Sequence, residues 1–172
     1  YDEGKPGLRA RCSSTKGLDH REPQTIVVVG WPSKIDVLLA MLDMRLPEGS
    51  SVHLLSATPL DERKEPPGFL HIALSQHIGE TSSARKLGGL PLAEASTILV
   101  LSEGFDGDAQ KSDSNQLSVL ITLNDLLKSY RLPVRPRVVC EMEDAWTARM
   151  LSQNAELGKS ATFVHCNAME TG

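Results

Sequence analysis

The feature that most constrains this chain is a repeated switch of period. Short, unbroken apolar runs give way, each after a turn, to apolar residues spaced three and four apart. The stretch TIVVVGWPSKIDVLLAMLD, residues 25–43, is the first case. Ile26–Val29 shows no polar alternation, as expected of a strand buried on both faces of a parallel sheet. Beyond Gly30, the residues Ile35, Leu38, Leu39, Leu42 and Leu46 fall on one helical face. Ser33 and Asp36 resemble a capping box ahead of that helix, and Pro47 and Gly49 end it.

The same alternation continues to the end. Strands are expected at Val52–Ala57, more weakly at Phe69–Leu74, then at Ile98–Leu101, 137–142 and 161–165. Residues 80–90 suit a short helix stopped by Gly88 and Gly89. Asp113 and Gln116 resemble an N-cap and its partner, opening a helix that carries Leu117, Leu120, Ile121 and Leu127 and stops near YRLP. Ala145–Leu157 reads as the last helix. Strands alternating with helices imply right-handed βαβ units. The expected class is therefore α/β: a Rossmann-like, doubly wound parallel sheet of about six strands in the order 3-2-1-4-5-6. Residues 1–24 have the polar, aperiodic composition of a flexible linker, which leaves 25–172 as one domain.

Composition removes several functions. Aromatic residues make up only 4% of the 172, so the core must be aliphatic. A net charge of −4 argues against nucleic acid as a partner. No apolar run approaches the ~20 residues of a membrane span, so no direct membrane insertion of this piece is expected. The chain opens on Tyr1 rather than Met and is read as cut from a longer one. Cys12, Cys140 and Cys166 form no CxxC pair and read as reduced thiols of a cytosol-like compartment. His20, His53, His71, His77 and His165 lack metal-ligand spacing and read as incidental.

The opening turn decides whether a dinucleotide binds. The fingerprint G-x-G-x-x-G lets backbone approach a pyrophosphate at a helix N-terminus. Here that register reads Gly30, Pro32, Ile35. Pro32 has no amide to donate, and Ile35 would crowd helix against strand. The second strand ends LLSATP, without the acid that a ribose needs. No NAD is expected, and Gly30 reads as a turn glycine. Trp31 is open between a lid, an interface residue and a core residue. No nucleophile–base pair or metal triad supports catalysis. A nucleotide- or S-adenosylmethionine-dependent enzyme is the alternative on this fold, and a ligand-free oligomerisation module a third reading.

Two segments carry a resemblance. VVVGWPSKIDVLLAMLDMRLPEGSSVHLLS and GLPLAEASTILVLSEGFDGDAQKSDSNQLSVLITLNDLLKSYRLP resemble the CASTOR/POLLUX family of ion channels, most of all its second RCK (regulator of conductance) domain. The SDS at 112–114, the LPL before the strand and the RLP after the helix keep nearly the family's spacing. The resemblance covers about residues 25–140 and departs at Pro32–Ser33, where the family has two arginines. It implies the N-lobe of an RCK domain in a gating ring on the reducing, cytosol-like side of a nuclear or plastid envelope. Its partners would be copies of itself, other RCK domains and the pore of the same channel.

Acids crowd two loops that leave neighbouring strand ends. SEGFDGDAQKSD offers Glu103, Asp106 and Asp108, and CEMEDAW offers Glu141 and Glu143. Open parallel sheets bind ligands in such a crevice. Hard cations want six to eight oxygens, so Ca²⁺ is the candidate ligand of these five residues. Glu141-x-Glu143 also resembles the acidic pair of calcium-gated RCK domains. The competing reading is a solvated acidic rim, with Asp113 and Asp144 as helix caps. Glu141 and Glu143 share a face only while their strand persists. An EF-hand is excluded, because DGDAQKSDSNQL lacks the glycine and the closing glutamate.

Overall fold

A computed structural model of the chain describes residues 22–63, 68–103 and 108–165. Among them are six strands: β1 (Thr25–Val29), β2 (Ser50–Ser56), β3 (Ile72–Ile78), β4 (Thr97–Val100), β5 (Arg137–Met142) and β6 (Thr162–His165). They form one sheet in the order β3-β2-β1-β4-β5-β6, parallel at every pairing. The expected doubly wound topology is therefore the observed one.

The two faces are buried differently. Helix α1 (Ile35–Arg45) covers one, where Ile35 and Leu39 meet Ile26, Val28, Val52, Leu54 and Ile72. The other carries α2 (Ala84–Gly88), α3 (Ala109–Tyr130), α4 (Ala145–Gln153) and α5 (Leu157–Ser160). Val27, Val29, Leu55, Ile98, Val100, Cys140 and Met142 pack there under Leu120, Leu123 and Leu127. Successive β1 side chains thus enter opposite cores, which is why its sequence shows no alternation.

Several details differ from the sequence reading. The Ser33–Asp36 box does not form: Lys34 is the N-cap, without a side-chain bond, and the Asp36 carboxylate accepts from Val37 N. The true cap of α3 is Asp108, whose carboxylate accepts from Lys111 N, so Asp113 and Gln116 lie inside the helix and are buried. With that start, α3 packs through Gln116, Val119, Leu120, Leu123 and Leu127, and Ile121 is exposed. Strand β3 begins at Ile72 and runs on to Ile78, past its expected end at Leu74, because its half-buried Ser75, Gln76 and His77 give no apolar signal. Asp144 does cap its helix, accepting from both Thr147 N and Thr147 Oγ1.

One carboxylate ties α1 to the sheet edge. Asp43 accepts amide hydrogens from Leu70, His71 and Ile72 at 3.2, 2.7 and 3.1 Å. Desolvation alone would raise this carboxyl. The three amides, with the nearby His71, outweigh that and hold it below its ordinary value. The stabilisation is present above the unfolded carboxylate range and is lost as pH falls through the lower folded value. Asp43→Asn is expected to lower the melting temperature by a few degrees near neutral pH. The gap between wild type and variant should close in acid, as read by circular-dichroism melts across pH.

Candidate functional site

The carboxyl ends of β1, β2 and β4 enclose the crevice where a doubly wound sheet takes its ligand. Gly30 leaves β1 at φ +121°, and a Cβ on it would lie 2.2 Å from the Leu101 carbonyl oxygen. Only glycine passes there. The amides of this turn are spent on the sheet: Gly30 N donates to Leu55 O at 2.8 Å and Trp31 N to Ser102 O at 3.1 Å. Pro32 has no amide, and Ile35 N returns to Pro32 O. Asp36 adds a negative charge in the first turn of α1. A pyrophosphate at this turn would meet a like charge and no donor from Gly30, Trp31 or Pro32.

The crevice is also stoppered by side chains. Arg63, 7% exposed, follows the short 3₁₀ turn at Leu60–Glu62. Its guanidinium donates to Thr58 O, Ser56 O, His77 O and Gln76 Oε1 at 2.9 to 3.1 Å. It lies over the Trp31 ring, 5.0 Å from the centroid, a cation–π contact. Burial draws Arg63 below its ordinary value and the Glu103 charge partly restores it. It stays a cation at any ordinary pH. Trp31 is thus half-buried packing, stacked on a cation that the chain itself supplies.

The expected acids separate. Glu103 turns to the end of β2, accepting from Ser56 Oγ at 2.9 Å and Ala57 N at 3.2 Å. An acid thus stands where a ribose partner is expected, but it comes from β4 and is engaged. Asp108 caps α3, and Asp106 lies outside the described residues. Glu141 and Glu143 do converge: Glu141 accepts from Ser102 N and Glu143 from Ser102 Oγ, both at 3.1 Å. Among the described residues no three His, Cys, Asp or Glu are grouped to hold a metal ion.

Ser102 is the centre of a buried polar chain. Gln116 Nε2 donates to Ser112 Oγ, which lies 3.1 Å from Ser102 Oγ. The final acceptor is the Glu143 carboxylate, so the hydroxyl protons all point toward it. Beside this chain, the Asp113 carboxylate takes Glu143 N at 2.7 Å and Asp144 N at 3.1 Å. Ser112 and Asp113 of the SDS triplet therefore dock α3 on the ends of β4 and β5. Cys140 lies deep beneath. Burial, then the charges of Asp113 and Glu141, push its thiol up to about 12, so it is inert at neutral pH. Cys12, Cys166 and His20 lie outside the described residues.

Sequence reasoning missed Arg63, Ser102 and the Asp113 clamp. It also missed His53 and His77, which stack across β2 and β3 with ring centroids 5.6 Å apart. A cleft of about 470 Å³ opens between α3 and α4, lined by Gln110, Asp113, Leu117, Trp146 and Leu151 among others. Asp113→Ala leaves two amides without their acceptor and should cost about 2 kcal/mol. Asp113→Asn keeps one acceptor and should cost less. Urea denaturation of both variants checks the order.

No protein-family model matches the chain. Over 122 residues, 66% of its length, it is 30% identical to the ion channel DMI1 of Medicago truncatula, of which it covers 14%. Over 145 residues, 76% of its length, it is 29% identical to a probable ion channel CASTOR of Oryza sativa subsp. japonica, of which it covers 16%. The chain thus spans about a sixth or less of these relatives. Among solved structures it is similar to the GsuK RCK domain, with TM-score 0.53 and 15% identity over 84% of this chain and 26% of that one. It is similar to GsuK bound to ADP, with TM-score 0.58 and 16% identity over 86% and 32%. It is similar to the human SLO3 gating ring, with TM-score 0.51 and 12% identity over 83% and 24%. At those identities the likeness is one of fold. The chain is a homologue of the CASTOR/POLLUX/DMI1 ion channels, built on the fold of an RCK domain.

Proposed function

We propose that this chain is a non-catalytic regulatory domain of a CASTOR/POLLUX-like channel, part of a gating ring that couples a ligand to a pore elsewhere in the polypeptide. The observation that carries the reading is the stoppered crevice. Trp31, Arg63 and Glu103 lie across the strand ends where a dinucleotide would sit, and the Gly30 and Trp31 amides are bonded to the sheet. What remains of the fold is a rigid sheet with engaged strand ends, suited to transmitting a displacement rather than to chemistry.

Ca²⁺ is the ligand proposed, at the loops after β4 and β5. Glu141 and Glu143 supply one side, and Asp106, Asp108 and Glu103 are the acids that a rearranged β4 loop would bring. Ser102 supports a coupling route. Its amide and hydroxyl hold Glu141 and Glu143, its carbonyl holds Trp31, and its neighbour Glu103 holds β2. A cation that drew Glu141 and Glu143 away would loosen Trp31 and β2 together.

Self-association fits the surface. Val37, Met41 and Met44 form an exposed stripe on α1, with 52%, 47% and 79% exposure, and Trp146 stands 63% exposed on α4. No helix among the described residues is long and apolar enough to cross a membrane. In the proposed reading the pore belongs to another part of the polypeptide.

The second reading is a nucleotide-binding domain, favoured by the ADP that the GsuK neighbour carries. One set of melts separates the two. At free Ca²⁺ of ~100 times its dissociation constant the gain is about 2.7 kcal/mol, a shift of several degrees. Glu143→Gln should shrink that shift. Superimposable melts in Ca²⁺ and EGTA would end the calcium reading. Submicromolar NAD or ADP binding by calorimetry would restore the nucleotide reading. In sedimentation over a wide concentration range, the chain should associate weakly. A strictly monomeric profile counts against the ring.

A further inference from the structure

The amino ends of β5 and β6 carry a second cleft, at the opposite end of the sheet from the crevice. It encloses about 290 Å³, and its lining residues include Arg135, Arg137, Lys159, Ser160 and Thr162. Three of these are cations and none is an acid. On a chain of net charge −4, that concentration of positive charge is local and opposite to the whole. The nearby acid Glu156 is already paired, its carboxylate 3.1 Å from Lys128 Nζ.

The cleft holds one of its cations in place. Arg135 donates through Nη2 to Asn124 Oδ1, while Asn124 Nδ2 donates to Ser160 Oγ at 3.0 Å. Asn124 is only 7% exposed, on the face of α3 that packs toward the sheet. Ser160 in turn donates to Leu157 O at 3.0 Å. The guanidinium is therefore oriented by a neutral amide rather than a carboxylate. Among the described residues it has no ion-pair partner, and its remaining N–H groups can meet a ligand. Arg137 and Lys159 are exposed and have no ion-pair partner among the described residues. A hydrogen-bonded guanidinium beside two exposed cations suits a multiply charged oxyanion.

We propose that this cleft binds a phosphate-bearing anion through Arg135, Arg137 and Lys159, with the Thr162 hydroxyl at its edge. Two sources share that chemistry: a free polyphosphorylated small molecule and the headgroup of a phospholipid. The site is separate from the proposed cation loops, and neither depends on the other.

The test uses the whole chain, with inorganic pyrophosphate as the soluble probe. Phosphatidylcholine vesicles, with and without a phosphatidylinositol phosphate, are the membrane probe. Pyrophosphate should raise the melting temperature where sulfate of equal ionic strength does not. Removing one cation by Arg137→Gln or Lys159→Gln, both at exposed positions that leave the fold intact, should weaken binding about tenfold. Arg135→Gln should weaken it at least as much, and Arg85→Gln, which removes an exposed cation from α2, should leave it unchanged. Sedimentation only with the phosphoinositide vesicles would assign the site to a headgroup. Binding of pyrophosphate without vesicle association would assign it to a free ligand. If neither probe binds, or if the Arg137 and Lys159 variants bind as wild type does, the proposal is overturned.

Discussion

The structure depends on how closely β1 and β4 can lie side by side at their carboxyl ends. These central neighbours come from the two halves of a doubly wound sheet, and the chain must leave β1 directly against the backbone that follows β4. Gly30 makes that passage possible, with the Leu101 carbonyl where a side chain would begin. Because the backbones touch, Trp31 N reaches Ser102 O, and the β4 end cannot move without the β1 turn. In a dinucleotide-binding fold, the same glycine freedom opens room for a phosphate. Here it draws two strand ends together.

Much of the fold was legible in the sequence because its strands are buried on both faces. The runs at 26–29 and 98–101 have no polar alternation, and the structure puts β1 and β4 there. Where burial is one-sided the signal fades, as in β3, whose Ser75, Gln76 and His77 read as loop. Helix starts were harder. A capping pair and a buried polar pair look alike in sequence, since both place a short acid three residues before a glutamine. Asp113 and Gln116 face the ends of β4 and β5 rather than the first turn of α3.

The site was legible as residue types and not as partners. Glu141 and Glu143 were singled out and do meet, on Ser102. Glu103 was grouped with them but turns to β2, because Ser56 and Ala57 offer two donors at a strand end that lacks its own acid. Arg63 gave no signal at all. Its bonds are mostly to carbonyls of β2, β3 and the turn after β2, which no pattern of side chains announces. The Arg135–Asn124–Ser160 set was invisible for a similar reason, joining three elements through one buried amide.

The hydroxyl chain through Ser102 has a consequence for how such sequences drift. Gln116, Ser112, Ser102 and Glu143 hand one direction of hydrogen bonding from helix to strand end. Losing any one member takes a hydrogen-bond partner from its neighbour, so single changes are penalised more than joint ones. The four positions should therefore co-vary across related chains, passing together to an apolar set or staying together as a polar one. Mixed combinations should be rare. Such a block, spread over α3, β4 and the end of β5, would mark which relatives keep the two strand ends tied and which have let them part.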